Sequence, residues 1–324
     1  VTALRLAVLG CADIALRRML PAAAAMTDVD VAVLASRDAA KAAAAASVFG
    51  GEPAHGYEAA LKREDVDAVY LPLPVALRPE YVERALLAGK HVLAEKPVTA
   101  NHGATARLFA LARERGLALM ENVMFVQHPL HEEVRRLVEG GAIGELRSLH
   151  ASFAVPPRPA DDIRYQQALG GGALLDIGIY PVRAAMYFLG ELSVAGTVLR
   201  RGPGHAVDTS GAILLRTPDD IPAHLTFGMD NAYRAEYELR GDRGRIAVHR
   251  PYQPPPDEDP VIELAGPDGT QYLRRPRVDQ VAATLSRFVS AARAGQTVDE
   301  TSCLRQIELL EAVLDRHVAA RSAP

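Results

Sequence analysis

The chain has 324 residues, 49% hydrophobic and 23% charged, with a formal net charge of −4. That length predicts two domains with substantial cores, and the negative balance excludes general binding to a nucleic-acid backbone, which needs a basic face. No apolar run approaches the ~18 residues of a membrane span, no signal peptide precedes the first strand, and Cys11 and Cys303 are too few for a disulfide framework, so a soluble cytoplasmic protein is expected.

Leu4–Leu9 reads as an apolar strand, followed by Gly10-Cys11-Ala12-Asp13-Ile14-Ala15 and a helix through Ala25. The G-x-A-x-x-A pattern is a dinucleotide fingerprint with two glycines replaced by alanine. Gly10 permits a tight turn, and small residues let a pyrophosphate approach the helix N-terminus. A strand-turn-helix with one glycine is also an ordinary turn, so this match alone is weak. The second strand, Val29–Leu34, runs into Ala35-Ser36-Arg37, where an NAD site carries an acidic residue for the ribose 2′-hydroxyl. Ser36 and Arg37 instead offer a hydroxyl and a guanidinium fork suited to a 2′-phosphate, with Lys41 one turn into the next helix. NADP(H) is the predicted cofactor; the plainer alternative is a polar strand end with a solvated arginine.

Val66–Leu71 is the next strand, ending in the rigid Pro72-Leu73-Pro74 loop, which makes Leu71, Pro72 and Leu73 candidate cofactor contacts. A helix from about Pro79 to Ala88 stops at Gly89 and leads into His91-Val92-Leu93-Ala94, then Glu95-Lys96-Pro97. Pro97 has no amide hydrogen, so the strand stops there. Lys96 is thereby held at a strand's carboxyl end, the edge where open parallel sheets bind ligands. Asn101 is the expected N-cap of a helix to Arg115, and Leu117–Met120 a last strand ending in Glu121-Asn122. This alternation predicts a Rossmann-type doubly wound parallel sheet over residues 1–124.

From Phe125 the alternation stops. Helix Pro129–Glu139, strand Leu146–Val155, a proline-rich loop Pro156–Asp161 and an apolar helix from Gly170-Gly171-Gly172 to Phe188 precede strands at Ala195–Arg201, Ala212–Arg216, His224–Asp230, Glu236–Leu239 and Arg245–His249. Segment 251–260 reads as a loop, and helices at about 277–293 and 301–319 close the chain. An α+β domain with a largely antiparallel, open-faced sheet over 125–324 is expected. Along Pro222–Asp230, Ala223, Leu225, Phe227 and Met229 share one face, and His224, Thr226, Gly228 and Asp230 the other. In Asp176-Ile177-Gly178-Ile179-Tyr180, helical spacing puts Asp176 and Tyr180 on one face, with Arg183 about a turn on; the alternative is a packed Tyr180 whose hydroxyl is satisfied by Asp176. His128 and His131 have no further ligand cluster near them, and no metal is expected.

With Lys96 in this setting the chain resembles the Gfo/Idh/MocA family of nicotinamide-dependent oxidoreductases. GCADIA, AEKPVT, the Glu121…His128-Pro129 segment and GGGALLDIGIYP fall in family order along essentially the whole length. The stretch Gly228–Ile246 (GMDNAYRAEYELRGDRGRI) and the overall pattern look most like the nucleotide-sugar 3-ketoreductases of deoxysugar and antibiotic biosynthesis. Two positions depart from the common pattern: Arg78 stands where a histidine is typical, and Tyr180 where many members have histidine. The resemblance implies NADPH-dependent reduction of the C3 ketone of a dTDP-linked 3,4-diketo or 3-keto 6-deoxyhexose by a homodimer or homotetramer. It implies Lys96, Tyr180 and Asp176 as catalytic residues, and cofactor contacts from Gly10, Cys11, Ala12, Asp13, Ile14, Ser36, Arg37, Lys41, Leu71, Pro72, Leu73, Glu95, Lys96 and Arg164. Tyr165, Asp176, Asn231, Tyr233 and Arg234 would contact the substrate.

As hydride reaches a ketone, charge builds on its oxygen and an acid must meet it. Tyrosine and lysine ordinarily titrate near ~10, and an ammonium ~4 Å from a phenol, at an effective dielectric of ~20, favours the phenolate by about 4 kcal/mol. Tyr180 as donor beside a charged Lys96 is the preferred division; the reverse stays open. Other readings are a free-sugar or trans-dihydrodiol dehydrogenase of the same family, or a non-catalytic NADP sensor.

Overall fold

A parallel sheet covered on both faces needs near-continuous apolar strands, and β4 (Ala68–Leu71, AVYL) is buried at every position. It lies with β1 (Leu4–Leu9), β2 (Val29–Ser36), β3 (Glu52–His55), β5 (His91–Glu95) and β6 (Leu119–Asn122) in the order β3-β2-β1-β4-β5-β6, all parallel. The order reverses between β1 and β4, which opens a crevice at the strands' carboxyl ends. The structure, a computed structural model, describes residues 2–255 and 257–322; Pro256 of the expected 251–260 loop lies outside them. β3 has no counterpart in the sequence reading. Its EPAH sequence is mostly exposed and contains a proline, so no apolar pattern marks it, and it exists as an edge strand through pairing with β2.

The chain folds as two compact units: Val1–Met124 with Gln280–Leu304, and Phe125–Asp279 with Arg305–Pro324. A continuous second domain over 125–324 is therefore not what forms. Helix Gln280–Ala294 buries Val281, Leu285, Phe288, Val289 and Ala292 in the same apolar cluster as Leu6, Met19, Leu20 and Leu93 of the first unit. Helical periodicity says which face of this segment is buried, not which sheet receives it. Cys303 completes the other apolar cluster of that unit, beside Leu9, Leu71, Val92 and Leu119.

The second unit carries an eight-stranded sheet of β7 (Leu146–Ala154), β8 (Ser193–Arg200), β9 (Ser210–Arg216), β10 (Pro222–Gly228), β11 (Arg234–Gly241), β12 (Arg245–His249), β13 (Val261–Gly266) and β14 (Gly269–Arg274), in the order β14-β13-β12-β11-β7-β10-β9-β8. All pairs are antiparallel except β7 with β10. The β13–β14 hairpin was not expected, because β14 is almost wholly exposed and has no buried face to pattern it. One face of the sheet buries Leu149, Phe153, Leu225, Phe227, Tyr237 and Leu239; the other presents His150, Ser152, His224, Thr226, Glu236 and Glu238. Contrary to the expectation of no span-length segment, Gln167–Leu189 has the length and mean hydropathy to cross a membrane, but 67% of its most apolar window is buried within the fold.

Candidate active site

Gly10 follows β1 with φ +127°, a conformation that side chains avoid. A Cβ there would lie 3.2 Å from Leu73 Cδ2 and 3.6 Å from Pro72, so the loops after β1 and β4 meet where the strand order reverses. The helix that begins at Asp13 widens into a π turn at Ala15–Met19, a feature frequent at functional sites. At the end of β2, the buried Ser36 accepts from the Asp38 amide at 3.1 Å, and its hydroxyl hydrogen-bonds the Cys11 thiol. Burial raises the Cys11 pKa, with Lys41 opposing. Arg37 is exposed and hydrogen-bonds Tyr57, whose pKa burial pushes up.

Asp38 is the acidic residue nearest that strand end, and its carboxylate accepts from the amides of Ala40 (2.9 Å) and Lys41 (3.2 Å) as an N-cap. It is thus engaged by the helix rather than left for a ribose hydroxyl. The structure therefore brings Cys11, Ser36, Arg37 and Lys41 together. A hydroxyl and two cations fit the phosphate-bearing ribose of NADP(H), and the side-chain-free Gly10 turn fits its pyrophosphate. Tyr57 was missed, since the short helix Tyr57–Leu61 follows the unpatterned β3.

β5 pairs with β4 up to Ala94 and with β6 up to Glu95, and the ladder ends at Pro97. Lys96 sits there, 8% exposed, with a cis Lys96–Pro97 peptide. The Glu95 carboxylate points away from a ligand role: it accepts from the Tyr70 hydroxyl at 2.7 Å and Asn122 Nδ2 at 2.6 Å. Donors from β4 and β6 hold this carboxylate inside the sheet. Burial, then the Glu95 charge, push the Tyr70 pKa well up, so Tyr70 stays a donor. Glu121 Oε1 accepts from the Val98 amide at 3.0 Å. Asn122 Oδ1, buried at the same edge, has no hydrogen-bond partner among the described residues.

In the second unit, glycine is required where the Ile163–Tyr165 turn and Asp208 close on the following helix. A Cβ on Gly171 would lie 2.4 Å from Arg164 O, and one on Gly172 (φ +129°) 2.5 Å from Asp208 Oδ1. Asp208 accepts from the Leu174 amide at 2.7 Å. Leu174–Gly178 is a π turn and Ile179–Leu189 an α-helix, so Asp176 and Tyr180 do not share the single regular helix that their spacing suggested. Asp176 accepts from Arg164 Nε at 2.7 Å, and Arg164 also bonds Asp162 at 3.2 Å. Burial opposes the Arg164 charge, but the two carboxylates more than offset it and raise its pKa. Arg164 is therefore the ion partner of Asp176.

Tyr165 is likewise packed: its hydroxyl donates to Met229 O at 3.0 Å and accepts from the Arg158 amide at 3.1 Å, with its ring stacked on His205. The Tyr180 ring is buried among Phe153 (centroids 5.0 Å), Tyr252 (5.7 Å) and Phe125 (6.1 Å). Asn231, Tyr233 and Arg234 are exposed around the start of β11; Tyr233 is 49% exposed, and Arg234 Nε donates to Glu236 at 2.8 Å. Arg183 is buried and 3.4 Å from Gln306. His128 Nδ1 accepts from the Leu130 amide, and the fully buried His131 lies 3.0 Å from the Tyr237 hydroxyl, its pKa lowered by burial to about 3. Among the described residues, no group of three or more His, Cys, Asp or Glu is arranged to hold a metal ion.

A family model described as "Oxidoreductase family, NAD-binding Rossmann fold" matches residues 4–123, and one described as "GFO/IDH/MocA C-terminal domain" matches residues 131–247. The chain is 52% identical to a dTDP-3,4-didehydro-2,6-dideoxy-alpha-D-glucose 3-reductase of Streptomyces violaceoruber, over 97% of this chain and 95% of the relative. A solved 3-ketoreductase from Actinomadura kijaniata, in complex with NADP and TDP-benzene, is 47% identical, with TM-score 0.95 over 97% of this chain and 98% of that one. Variants of that enzyme, with a lysine changed to alanine or glutamate or a tyrosine changed to phenylalanine, match over the same shares at 45% to 47% identity and TM-scores of 0.92 to 0.95. Their two altered positions are separated along the chain by the same number of residues as Lys96 and Tyr180. The first domain match spans Lys96 and the second Tyr180, and the likeness runs nearly end to end: the chain belongs to the Gfo/Idh/MocA family of oxidoreductases.

Proposed function

We propose that the chain reduces the C3 ketone of a dTDP-linked 3,4-diketo or 3-keto 6-deoxyhexose with NADPH. The observation that carries this is the 52% identity, over 97% of the chain, to a reductase named for that reaction. Ser36, Arg37, Lys41 and Cys11 would hold the phosphate-bearing ribose of the cofactor, the Gly10–Ile14 turn its pyrophosphate, and Leu71–Leu73 its nicotinamide half. Bound NADPH supplies the hydride. Tyr180 donates the proton that converts the developing alkoxide to a hydroxyl, and the Lys96 ammonium stabilises the negative charge before that proton arrives. Asp176, fixed by Arg164, orients the sugar. Tyr233 offers an exposed ring face to the nucleotide base, with Asn231 and Arg234 beside it.

The first unit is read as the cofactor-binding part and the second as the substrate-binding and assembly part of a cytoplasmic homodimer or homotetramer. Calorimetric titration with dTDP and an NADPH-consumption assay on the dTDP-linked diketo sugar test the reading. Micromolar dTDP binding and turnover that prefers NADPH over NADH are expected. Absence of dTDP binding together with NADP-linked oxidation of free xylose would sink it.

A further inference from the structure

Pairing between β4 and β5 stops at Leu71 and Ala94, and no ladder joins the loops beyond, because Pro72, Pro74 and Pro97 have no N–H to contribute. The Arg78 side chain crosses that gap. Arg78, at the start of the helix Arg78–Leu87, is buried; its Nε donates to Leu73 O at 2.7 Å and its Nη1 to Pro97 O at 2.5 Å. A planar fork with fixed donors can grip two carbonyls at once, whereas a lysine ammonium is a single point charge on a flexible stem. On the other side of the same turn, Glu121 takes the Val98 amide at 3.0 Å. Residues 95–98 are thus clamped at Pro97 O by an arginine from the β4–β5 connection and at Val98 N by a carboxylate from β6.

We infer that Arg78 is a positioning residue for Lys96: by bridging Leu73 O and Pro97 O it replaces the missing ladder and fixes the backbone from which the ammonium projects. This rests on the role given to Lys96 in the proposed reaction. It also gives a physical reason for an arginine at a buried position, since the charge is held by carbonyl oxygens from both loops and its strength is realised only when the two are in register.

The test compares Arg78→Lys, Arg78→Gln and Lys96→Ala. Displacing a catalytic group by about 1 Å can cost on the order of a hundredfold in rate, so Arg78→Gln is expected to lower kcat by about ten- to a hundredfold while the NADPH Kd and the ketone KM stay within about threefold. Arg78→Lys should fall between it and the wild type. In the cofactor-free protein, the Val98 and Thr99 amides of Arg78→Gln should exchange hydrogen at least about tenfold faster, with the amides inside β5 unchanged. Unchanged kcat and exchange would overturn the inference, as would a kcat loss matched by lost NADPH binding. So would variants that fail to fold, which would make Arg78 a stability residue. Full turnover in Lys96→Ala would instead remove the catalytic reading, while the exchange rates still decide whether Arg78 holds the turn.

Discussion

The two sheets contain the same charged residue types but hold them differently. At the carboxyl edge of the parallel sheet, Glu95 accepts from Tyr70 and Asn122, and Arg78 donates to two carbonyls, all with side chains closed off from water. On the outward face of the second sheet, Arg234 pairs with Glu236, Arg240 with Glu238, and Arg245 with Glu238 and Glu263, with the arginine side chains 38% to 64% exposed. A buried charge left without its partner costs the desolvation of that group, whereas an exposed pair contributes ~0–1 kcal/mol. The buried networks therefore fix geometry, and the exposed ones leave a surface that can change. Within the second unit, the Tyr180 ring is buried among other rings, and the half-buried Asp176 is held by Arg164.

The sharpest break of that contrast is at the phenol. Tyr180→Phe keeps the ring in its aromatic nest and removes only the proposed acid, so kcat should fall by about 10²- to 10⁴-fold with the NADPH Kd little changed in a fluorescence titration. Unaltered turnover would move proton donation to Lys96.

His131 probes the buried side through pH. Its folded pKa is about 3 against ~6.5 unfolded, so between these values the unfolded chain binds the extra proton. Its contribution is complete above pH ~6.5 and declines as pH falls toward 3, by about 1.4 kcal/mol per unit, or roughly 2 kcal/mol between pH 6.5 and 5. Urea unfolding of the wild type and His131→Gln at pH 7 and 5 measures it, and equal slopes in the two proteins would refute the assignment.

Tyr70→Phe leaves the buried Glu95 one donor short and should lower the unfolding free energy by about 1.5–3 kcal/mol, read from the same denaturation curves. The smallest effect belongs to the open face. Arg245→Ala, which breaks pairs with Glu238 and Glu263, should change stability by no more than about 1 kcal/mol. A larger loss would mean that this face is not the loosely held surface described above.

The backbone placement of several candidate site residues was readable because local chemistry dictated it. Gly10, Ser36 and Arg37 stand at strand ends marked by apolar runs, and Pro97 stops a strand wherever it lies, which put Lys96 at the sheet's edge. The alternation in Pro222–Asp230 predicted its buried face, and Ala223, Leu225, Phe227 and Met229 are indeed the buried ones. Arg164 and Tyr165 were harder, since an arginine–tyrosine pair before a glycine run reads equally as a ligand pair or as a structural one. Only the fold brings Asp176, Met229 and the Arg158 amide to them.

Sequence alone determined the doubly wound alternation, the tight turn after β1 and the hydroxyl and cations at the end of β2, because each follows from residue type, backbone restriction or a period of two to four residues. Tertiary structure alone decided that Gln280–Leu304 joins the first unit, that Glu95 faces Tyr70 and Asn122, that a π turn carries Asp176 and that Arg78 spans two loops. The physical reason is that these depend on partners tens to hundreds of residues away. A side chain's type states which bonds it can make, and only the fold states which groups arrive to make them.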